Sequence, residues 1–167
     1  MKTAHALPEV PDLLIRPAAA ADLASVVALI LMQFRDHAII TPGRVVERAL
    51  APLLSGAKTD PDAPGVLVAQ RGEALVGVAY FSFATPLEHA GPVVWLEELF
   101  VLPEHRGLGI GQRLIAAVAA LAEARGCVSV DLEVDINHPD AARLYDRLGF
   151  RSLRRDHRVL RLSAWDW

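Results

Sequence analysis

The sequence predicts an α/β or α+β domain built around a mixed sheet. Segments with the two-residue period of strands, rich in β-branched and aromatic side chains, are interleaved with longer apolar segments of helical period. The chain has 167 residues, of which 53% are hydrophobic, which is the size and composition of one domain with a substantial core. No internal repeat or low-complexity linker divides it.

Five elements are predicted before residue 85. In chain order they are the strand DLLIR (12–16), the helix LASVVALILMQF (23–34), a helix that starts at Thr41-Pro42 and runs through RVVERALAPLL (44–54), and the hairpin strands VLVAQ (66–70) and ALVGVAYFSF (74–83). Asp22 stands near the start of the first helix, and Pro52 bends or ends the second. A turn at Gly72 joins the hairpin strands, and the Pro- and Asp-rich loop KTDPDAPG (58–65) precedes them.

The second half of the chain continues this alternation. Its elements are the strand VVWLEELFV (93–101), the helix QRLIAAVAALAEARG (112–126), the strand VSVDLEV (128–134), the short helix in HPDAARLYDRLGF (138–150) and two final strands in the tail (150–167). Gly126 and Gly149 suit the C-terminal ends of the two helices, and Pro139 suits the first turn of the second.

Composition and charge exclude several classes of protein. The net charge of −3 and the pI near 6.0 provide no general basic field for nucleic acid. The only cysteine, Cys127, excludes an intramolecular disulfide and a Cys-rich zinc site, and the six histidines lack metal-ligand spacing. No early stretch has the form of a signal peptide, and no apolar run reaches the length of a membrane span, about 20 residues. We therefore expect a soluble, cytoplasmic protein with no metal, nucleic acid or membrane as partner.

The most informative stretch is HRGLGIGQRL (105–114), which lies between a predicted strand and a predicted helix. Glycine occupies every second position from 107 to 111. Backbone amides at a helix N-terminus form an anion site. A Walker P-loop requires Gly-Lys-Ser/Thr, whereas Gln112 and Arg113 follow Gly111 here. A dinucleotide fingerprint requires a glycine where Gln112 stands. The motif that remains is R-x-x-G-x-G, over residues 106–111.

The segment LEELFVLPEHRGLGIGQRLIAAV (96–118) resembles the acetyl-CoA signature of the GNAT superfamily of N-acetyltransferases. ARLYDRLGF (142–150) resembles the later motif of the same family, and IRPAAAADL (15–23) its first strand and helix. The resemblance implies one N-acetyltransferase domain over residues 1–167. Its fold would be a mixed, mostly antiparallel, twisted sheet of about seven strands with about four helices, whose fourth and fifth strands splay apart.

The resemblance also implies how acetyl-CoA binds. The glycine loop would hold the pyrophosphate, the strand at 99–101 would pair with the pantetheine arm, and an N–H near Leu99 would stabilise the thioester oxygen. Arg106 would shape the loop, meet a phosphate or pair with Glu104. Asn137 is a weaker candidate, because His138 stands at the usual interval from the family tyrosine. The expected ligands are Leu99, Phe100, Val101, Arg106, Gly107, Leu108, Gly109, Ile110, Gly111, Gln112 and Asn137.

Acyl transfer to an amine needs a proton acceptor for the ammonium and a proton donor for the departing thiolate. The resemblance implies Tyr145 as the general acid. Glu97 and Glu98 are the candidate bases, and polyamine and diamine acetyltransferases carry an acidic pair at this place. Adjacent strand residues face opposite ways, so both reach one cleft only if the strand carries a bulge, which is common here in the family.

We therefore expect an N-acetyltransferase that moves the acetyl group of acetyl-CoA directly to a primary amine. Within the superfamily, the sequence most resembles the diamine and polyamine acetyltransferases. The acceptor is a small diamine, polyamine or amino-acid-like amine. Protein or peptide acetylation, aminoglycoside acetylation and a non-catalytic acyl-CoA-binding sensor are the alternatives. The apolar end SAWDW (163–167) is a candidate homodimer contact.

Overall fold

The structure is a computed structural model that describes residues 9–56, 62–135 and 137–153. The chain divides into two compact units, Met1–Glu133 and Val134–Trp167. The described helices are α1 (Leu23–Asp36), α2 (Gly43–Leu54), α3 (Ile110–Ala124) and α4 (Pro139–Leu148). The described strands are β1 (Leu13–Pro17), β2 (Gly65–Arg71), β3 (Ala74–Ala84), β4 (Val93–Val101) and β5 (Ser129–Leu132).

The five strands form one sheet in the order β1-β2-β3-β4-β5 within the first unit. The first four strands pair antiparallel with their neighbours, and β5 runs parallel to β4. The parallel connection needs a crossover, and α3 supplies it. The mixed, mostly antiparallel sheet expected from the sequence is therefore confirmed.

The strand number differs from the expected count of about seven, because the described residues form five strands. The tail in which two strands are predicted (150–167) lies outside the described residues from position 154 onward, as does the SAWDW contact, and the described residues 150–153 form no strand. The predicted strand at 128–134 is shorter, since β5 ends at Leu132, where its register with Leu96 of β4 ends. Alternation alone does not reveal where a partner strand stops.

The pairing between the fourth and fifth strands is short. β5 pairs with β4 only over Val93–Leu96, although β4 continues to Val101. No described strand pairs with residues 97–101 on that side, so this half of β4 presents a free backbone edge. An edge of this kind can accept an extended ligand by main-chain hydrogen bonds.

Helices cover both faces of the sheet. The face under α1 and α2 is closed by a cluster of buried apolar side chains that includes Val26, Leu50, Val68 and Phe100. On the opposite face, the α3 side chain Leu114 is fully buried and reaches within 3.3 Å of the point where a Cβ on Gly77 would lie. No helix among the described residues has the length and apolar character needed to span a membrane.

The helix ends follow the sequence signals. Gly126 and Gly149 adopt φ values of 70° and 95°, the left-handed conformation that favours glycine after a helix. Pro139 occupies the first turn of α4, as predicted. Pro52 lies inside α2, which ends two residues later at Leu54.

Candidate active site

A β-bulge lies in the middle of β4. Tyr80 of β3 pairs with Glu98, but the next residue, Phe81, pairs with Leu96, so Glu97 is an extra residue on β4. The bulge that is common at this place in the family is therefore present in this chain. A bulge breaks the strict alternation of a strand, so the two adjacent carboxylates are not forced to opposite faces.

Glu98 is partly buried and contacts α1. Gln33 Nε2 donates a hydrogen bond of 2.7 Å to Glu98 Oε2. Burial raises the pKa of Glu98 to about 7, and the negative charge of Glu97 adds to the effect. A carboxyl group with this pKa exchanges protons near neutral pH, which is the property required of a general base.

Glu97 has a different environment, because its side chain is exposed. Ser82 Oγ, on β3, donates a hydrogen bond of 2.6 Å to Glu97 Oε1. Both carboxylates act on Tyr80, whose pKa is raised by burial and then by the charges of Glu97 and Glu98. The charges of both carboxylates thus reach Tyr80, although Glu98 is partly buried and Glu97 is exposed.

The glycine loop has the geometry of an anion site. Gly107 and Gly109 adopt φ values of 77° and 75°, which side chains rarely tolerate. A Cβ at Gly107 would meet no protein atom within 4 Å, so its open side is available to a ligand. The backbone bond from Arg113 N to Gly109 O marks the first turn of α3, and the amides of Ile110 to Gln112 belong to this turn.

Arg106 shapes the loop. Its Nε donates a 2.9 Å hydrogen bond to the Val101 carbonyl, and its Nη2 lies 3.1 Å from Asp36 Oδ2 at the end of α1. Its guanidinium also lies 5.4 Å from the centre of the Phe100 ring. The ion pair is therefore with Asp36, and not with Glu104 as one sequence alternative had it.

The strand residues expected to bind the pantetheine arm follow the bulge directly. Leu99, Phe100 and Val101 pair with β3 on one side, while the other side is the free edge beyond β5. Phe100 is buried under α1, and Leu99 and Val101 are partly buried. The free edge, the bulge and the glycine loop are thus consecutive along the chain.

The remaining predicted residues lie in the second unit. Tyr145 is on α4, its ring packs edge-on against Phe150 at 5.5 Å, and burial raises the pKa of Tyr145 to about 12. Asn137 is exposed, and its Nδ2 donates to Asp135 Oδ1 at 3.0 Å. His138 occupies the N-cap position of α4.

Comparison with known proteins identifies the family. Residues 31–150 match the Acetyltransferase (GNAT) family. The chain belongs to the GNAT family. The match covers the two carboxylates, the glycine loop and Tyr145, but not the resembling stretch at residues 15–23.

The curated proteins that this chain resembles are named for different acceptors. Over 77 residues the chain is 39% identical to the thialysine N-epsilon-acetyltransferase of Bos taurus, covering 46% of this chain and 44% of the relative. Over 92 residues it is 34% identical to the aminoalkylphosphonate N-acetyltransferase of Salmonella typhimurium, covering 55% and 59%. The aligned part therefore spans less than half of the first relative and under two thirds of the second.

A solved structure supports the fold. The structure of an aminoglycoside N-acetyltransferase in complex with CoA superposes with a TM-score of 0.76, covering 95% of this chain and 100% of that chain. The sequence identity is 21%, so this similarity shows the shared GNAT fold.

The loop of this GNAT protein fits a diphosphate in two respects. The positive φ and open side of Gly107 leave the main chain accessible. The first turn of α3 adds backbone donors at the positive end of the helix dipole. Both features suit the pyrophosphate of CoA.

Sequence reasoning missed Gln33 and Ser82, the two side chains that contact the carboxylates. Gln33 carries one signal that could have found it. It continues the buried helical spacing of Val26 and Ile30 with a polar side chain, and such a position usually holds an apolar residue. Ser82 carries no comparable signal, since a serine on a strand is ordinary.

Proposed function

We propose that this GNAT protein, as one acetyltransferase domain over residues 1–167, transfers the acetyl group of acetyl-CoA directly to a primary amine. The observation that carries the proposal is the position of Glu98. This carboxyl group, with a pKa of about 7, lies at the bulge of β4. The free edge of β4 and the glycine loop follow it along the chain.

Acetyl-CoA binds through the main chain in this account. The amides of Gly107 to Gln112 bind the pyrophosphate, and the free edge at 99–101 pairs with the pantetheine arm. An N–H near Leu99 donates to the thioester oxygen as that oxygen gains negative charge. Arg106 acts by holding the loop, through Val101 and Asp36.

Glu98 is the base that prepares the amine. An alkylammonium has a pKa of about 10.4, whereas the unperturbed pKa of a glutamate is 4.5, a mismatch of roughly six units. A pKa of about 7 for Glu98 roughly halves that mismatch. The ammonium loses its proton to Glu98 directly or through a water, the neutral nitrogen attacks the thioester carbon, and the carbon–sulfur bond breaks.

Tyr145 assists the departing thiolate. A phenol with a pKa of about 12 stays protonated at every physiological pH and is therefore always available as a donor. It is a weaker acid than an alkyl thiol, whose pKa is about 8.5. Tyr145 therefore acts mainly as a strong hydrogen-bond donor to the sulfur while charge develops there, and the thiol gains its proton as the product amide loses one.

The acceptor is a small amine that is cationic in solution, such as a diamine, a polyamine or an amino-acid-like amine. The adjacent negative charges of Glu97 and Glu98 favour a cation, and no cationic side chain of the described residues forms an ion pair with either. The names of similar proteins include a lysine analogue, an aminoalkylphosphonate and an aminoglycoside as acceptors, which are all amines.

Release of free thiol from acetyl-CoA against a panel of amines tests the proposal. The panel contains polyamines, short diamines, lysine analogues, aminoalkylphosphonates, aminoglycosides and basic peptides. We expect turnover with at least one small amine and its loss in Glu98→Gln, while Glu123→Gln, an exposed carboxyl on α3, serves as the control. Turnover only with peptides or aminoglycosides would replace the acceptor class. Acetyl-CoA binding without acetylation of any amine would favour the sensor alternative.

A further inference from the structure

Gln33 is an exception within the core. It is 9% exposed and is the one buried polar side chain within residues 9–56, 62–135 and 137–153. Its neighbours on the same face of α1, Val26, Leu29 and Ile30, are apolar and pack in the main cluster. A leucine or methionine would fill this position without desolvating an amide. Packing alone therefore does not explain why an amide occupies this position.

One of the two polar atoms of the Gln33 amide has a hydrogen-bond partner among the described residues. Gln33 Nε2 donates to Glu98 Oε2, whereas Gln33 Oε1 is buried and accepts no hydrogen bond from the described residues. Burying an acceptor without a partner is unfavourable, and such groups are rare in folded proteins. Gln33 thus places two polar atoms next to the ionisable Glu98: Nε2, which donates a hydrogen bond to it, and Oε1, which accepts none from the described residues.

No other described side chain that faces Glu98 donates a hydrogen bond to its carboxylate. On β4, Glu97 carries the same charge and opposes ionisation of Glu98. On β3, Tyr80 pairs with Glu98 across the strands, and its pKa is raised by both carboxylates. Among the described side chains, Gln33 on α1 is the one that donates a hydrogen bond to Glu98.

We propose that Gln33 is a positioning residue that serves both protonation states of Glu98 during proton transfer. Before transfer, Nε2 holds the carboxylate in place. In the transfer, an N–H bond of the ammonium breaks and an O–H bond forms on Glu98, leaving a neutral amine and a neutral acid. The new O–H needs an acceptor, and a half-turn of the Gln33 amide presents Oε1 to it. This role rests on the proposed function of Glu98 as the base.

Removing the amide has a predictable sign. A hydrogen bond to a charged group is roughly twice as strong as one between neutral groups, so the loss of Nε2 outweighs the loss of Oε1. The ionised form of Glu98 therefore loses more than the protonated form, and the pKa of Glu98 rises in Gln33→Met. We expect an increase of about half a unit to one unit.

The experiment follows Glu98 directly and through activity. NMR of protein labelled with ¹³C at the glutamate carboxyl carbons follows the titration of Glu98. The Glu98 signal is the one that is missing from the spectrum of Glu98→Gln. Gln33→Met should raise this pKa and move the rising limb of kcat/KM against pH by the same amount, with KM for acetyl-CoA unchanged. Gln70→Met is the control, because Gln70 is a partly buried glutamine whose Oε1 accepts a 2.7 Å hydrogen bond from the Arg16 side chain.

The outcomes separate this inference from the proposed function. If wild type acetylates amines but Gln33→Met changes neither titration nor pH profile, the role of Gln33 is overturned and the function stands. If the pKa of Glu98 rises in Gln33→Met while wild type acetylates no amine, Gln33 positions the carboxyl group and the proposed function fails. If the methionine variant does not fold, Gln33→Asn, one methylene shorter, should give the same direction of shift.

Discussion

Gln33 Nε2 and Glu98 Oε2 lie 2.7 Å apart, and this hydrogen bond joins the last turn of α1 to the bulge of β4. Three residues further along α1, Asp36 pairs with Arg106 at the start of the glycine loop. One helix therefore supports both the candidate base and the loop proposed to bind the cosubstrate. A shift of α1 would disturb both sites together.

The raised pKa of Glu98 predicts a pH-dependent stability. Its pKa is about 7 in the folded protein against 4.5 for the unperturbed group, so the folded state binds the proton more tightly. The contribution of Glu98 to stability is complete below pH 4.5 and is lost as the pH rises to about 7. Glu98→Gln keeps an acceptor for Gln33 and removes the charge.

At pH 8 we expect Glu98→Gln to be more stable than wild type by up to about 3 kcal/mol. Below pH 4.5 the two proteins should differ little. Urea unfolding of both proteins across this pH range measures the difference. If the difference in the free energy of unfolding between the two proteins does not change with pH, the folded protein does not perturb the pKa of Glu98.

Gly107→Ala should weaken acetyl-CoA binding. Gly107 has φ 77° and an open side, so a methyl group both strains the loop and occupies the space offered to the pyrophosphate. We expect the Kd for acetyl-CoA to rise about tenfold or more, which corresponds to roughly 1.4 kcal/mol. Isothermal titration calorimetry measures this change.

Gly72→Ala is the matched control for that variant. Gly72 has φ 59° in the β2–β3 turn, and a Cβ there also meets no atom within 4 Å. It should cost similar stability, about 1 kcal/mol, while leaving acetyl-CoA affinity unchanged. If Gly107→Ala and Gly72→Ala bind acetyl-CoA with equal affinity, the glycine loop is not the site that binds the pyrophosphate.

Tyr145→Phe should lower kcat with little change in KM. The substitution removes only the hydroxyl group and retains the ring that packs against Phe150. We expect a loss of about tenfold to hundredfold, smaller than that of a full general acid, because the phenol donates a hydrogen bond to the sulfur. Steady-state rates at saturating acetyl-CoA test this, and an unchanged kcat would exclude Tyr145 from the chemistry.

The sequence predicted the local parts of the site well. The strand at 93–101 has the bounds of β4, and the glycine segment forms the expected turn before α3. Both depend on signals within a few residues, namely β-branched runs, glycines and caps. The bulge at Glu97 was expected from the family resemblance and is present in the register.

The non-local parts were not predicted from the sequence. Gln33 and Glu98 are 65 residues apart in the chain, and their contact depends on how α1 lies on the sheet. The pKa of Glu98 depends on the same packing, because desolvation is its main cause. The early end of β5 at Leu132 is likewise not marked in its own residues, because the alternation of the sequence continues to Val134 while the pairing with β4 ends at Leu132.

The most direct test of the account is the pH dependence of kcat/KM for the best amine acceptor, measured in wild type and in Glu98→Gln. Only the ionised carboxyl can accept a proton, so kcat/KM of wild type should rise with pH through about 7 and then level. Glu98→Gln should lose this limb and at least about a hundredfold in rate near neutral pH. An identical profile and rate in Glu98→Gln would contradict the role of Glu98 as the base.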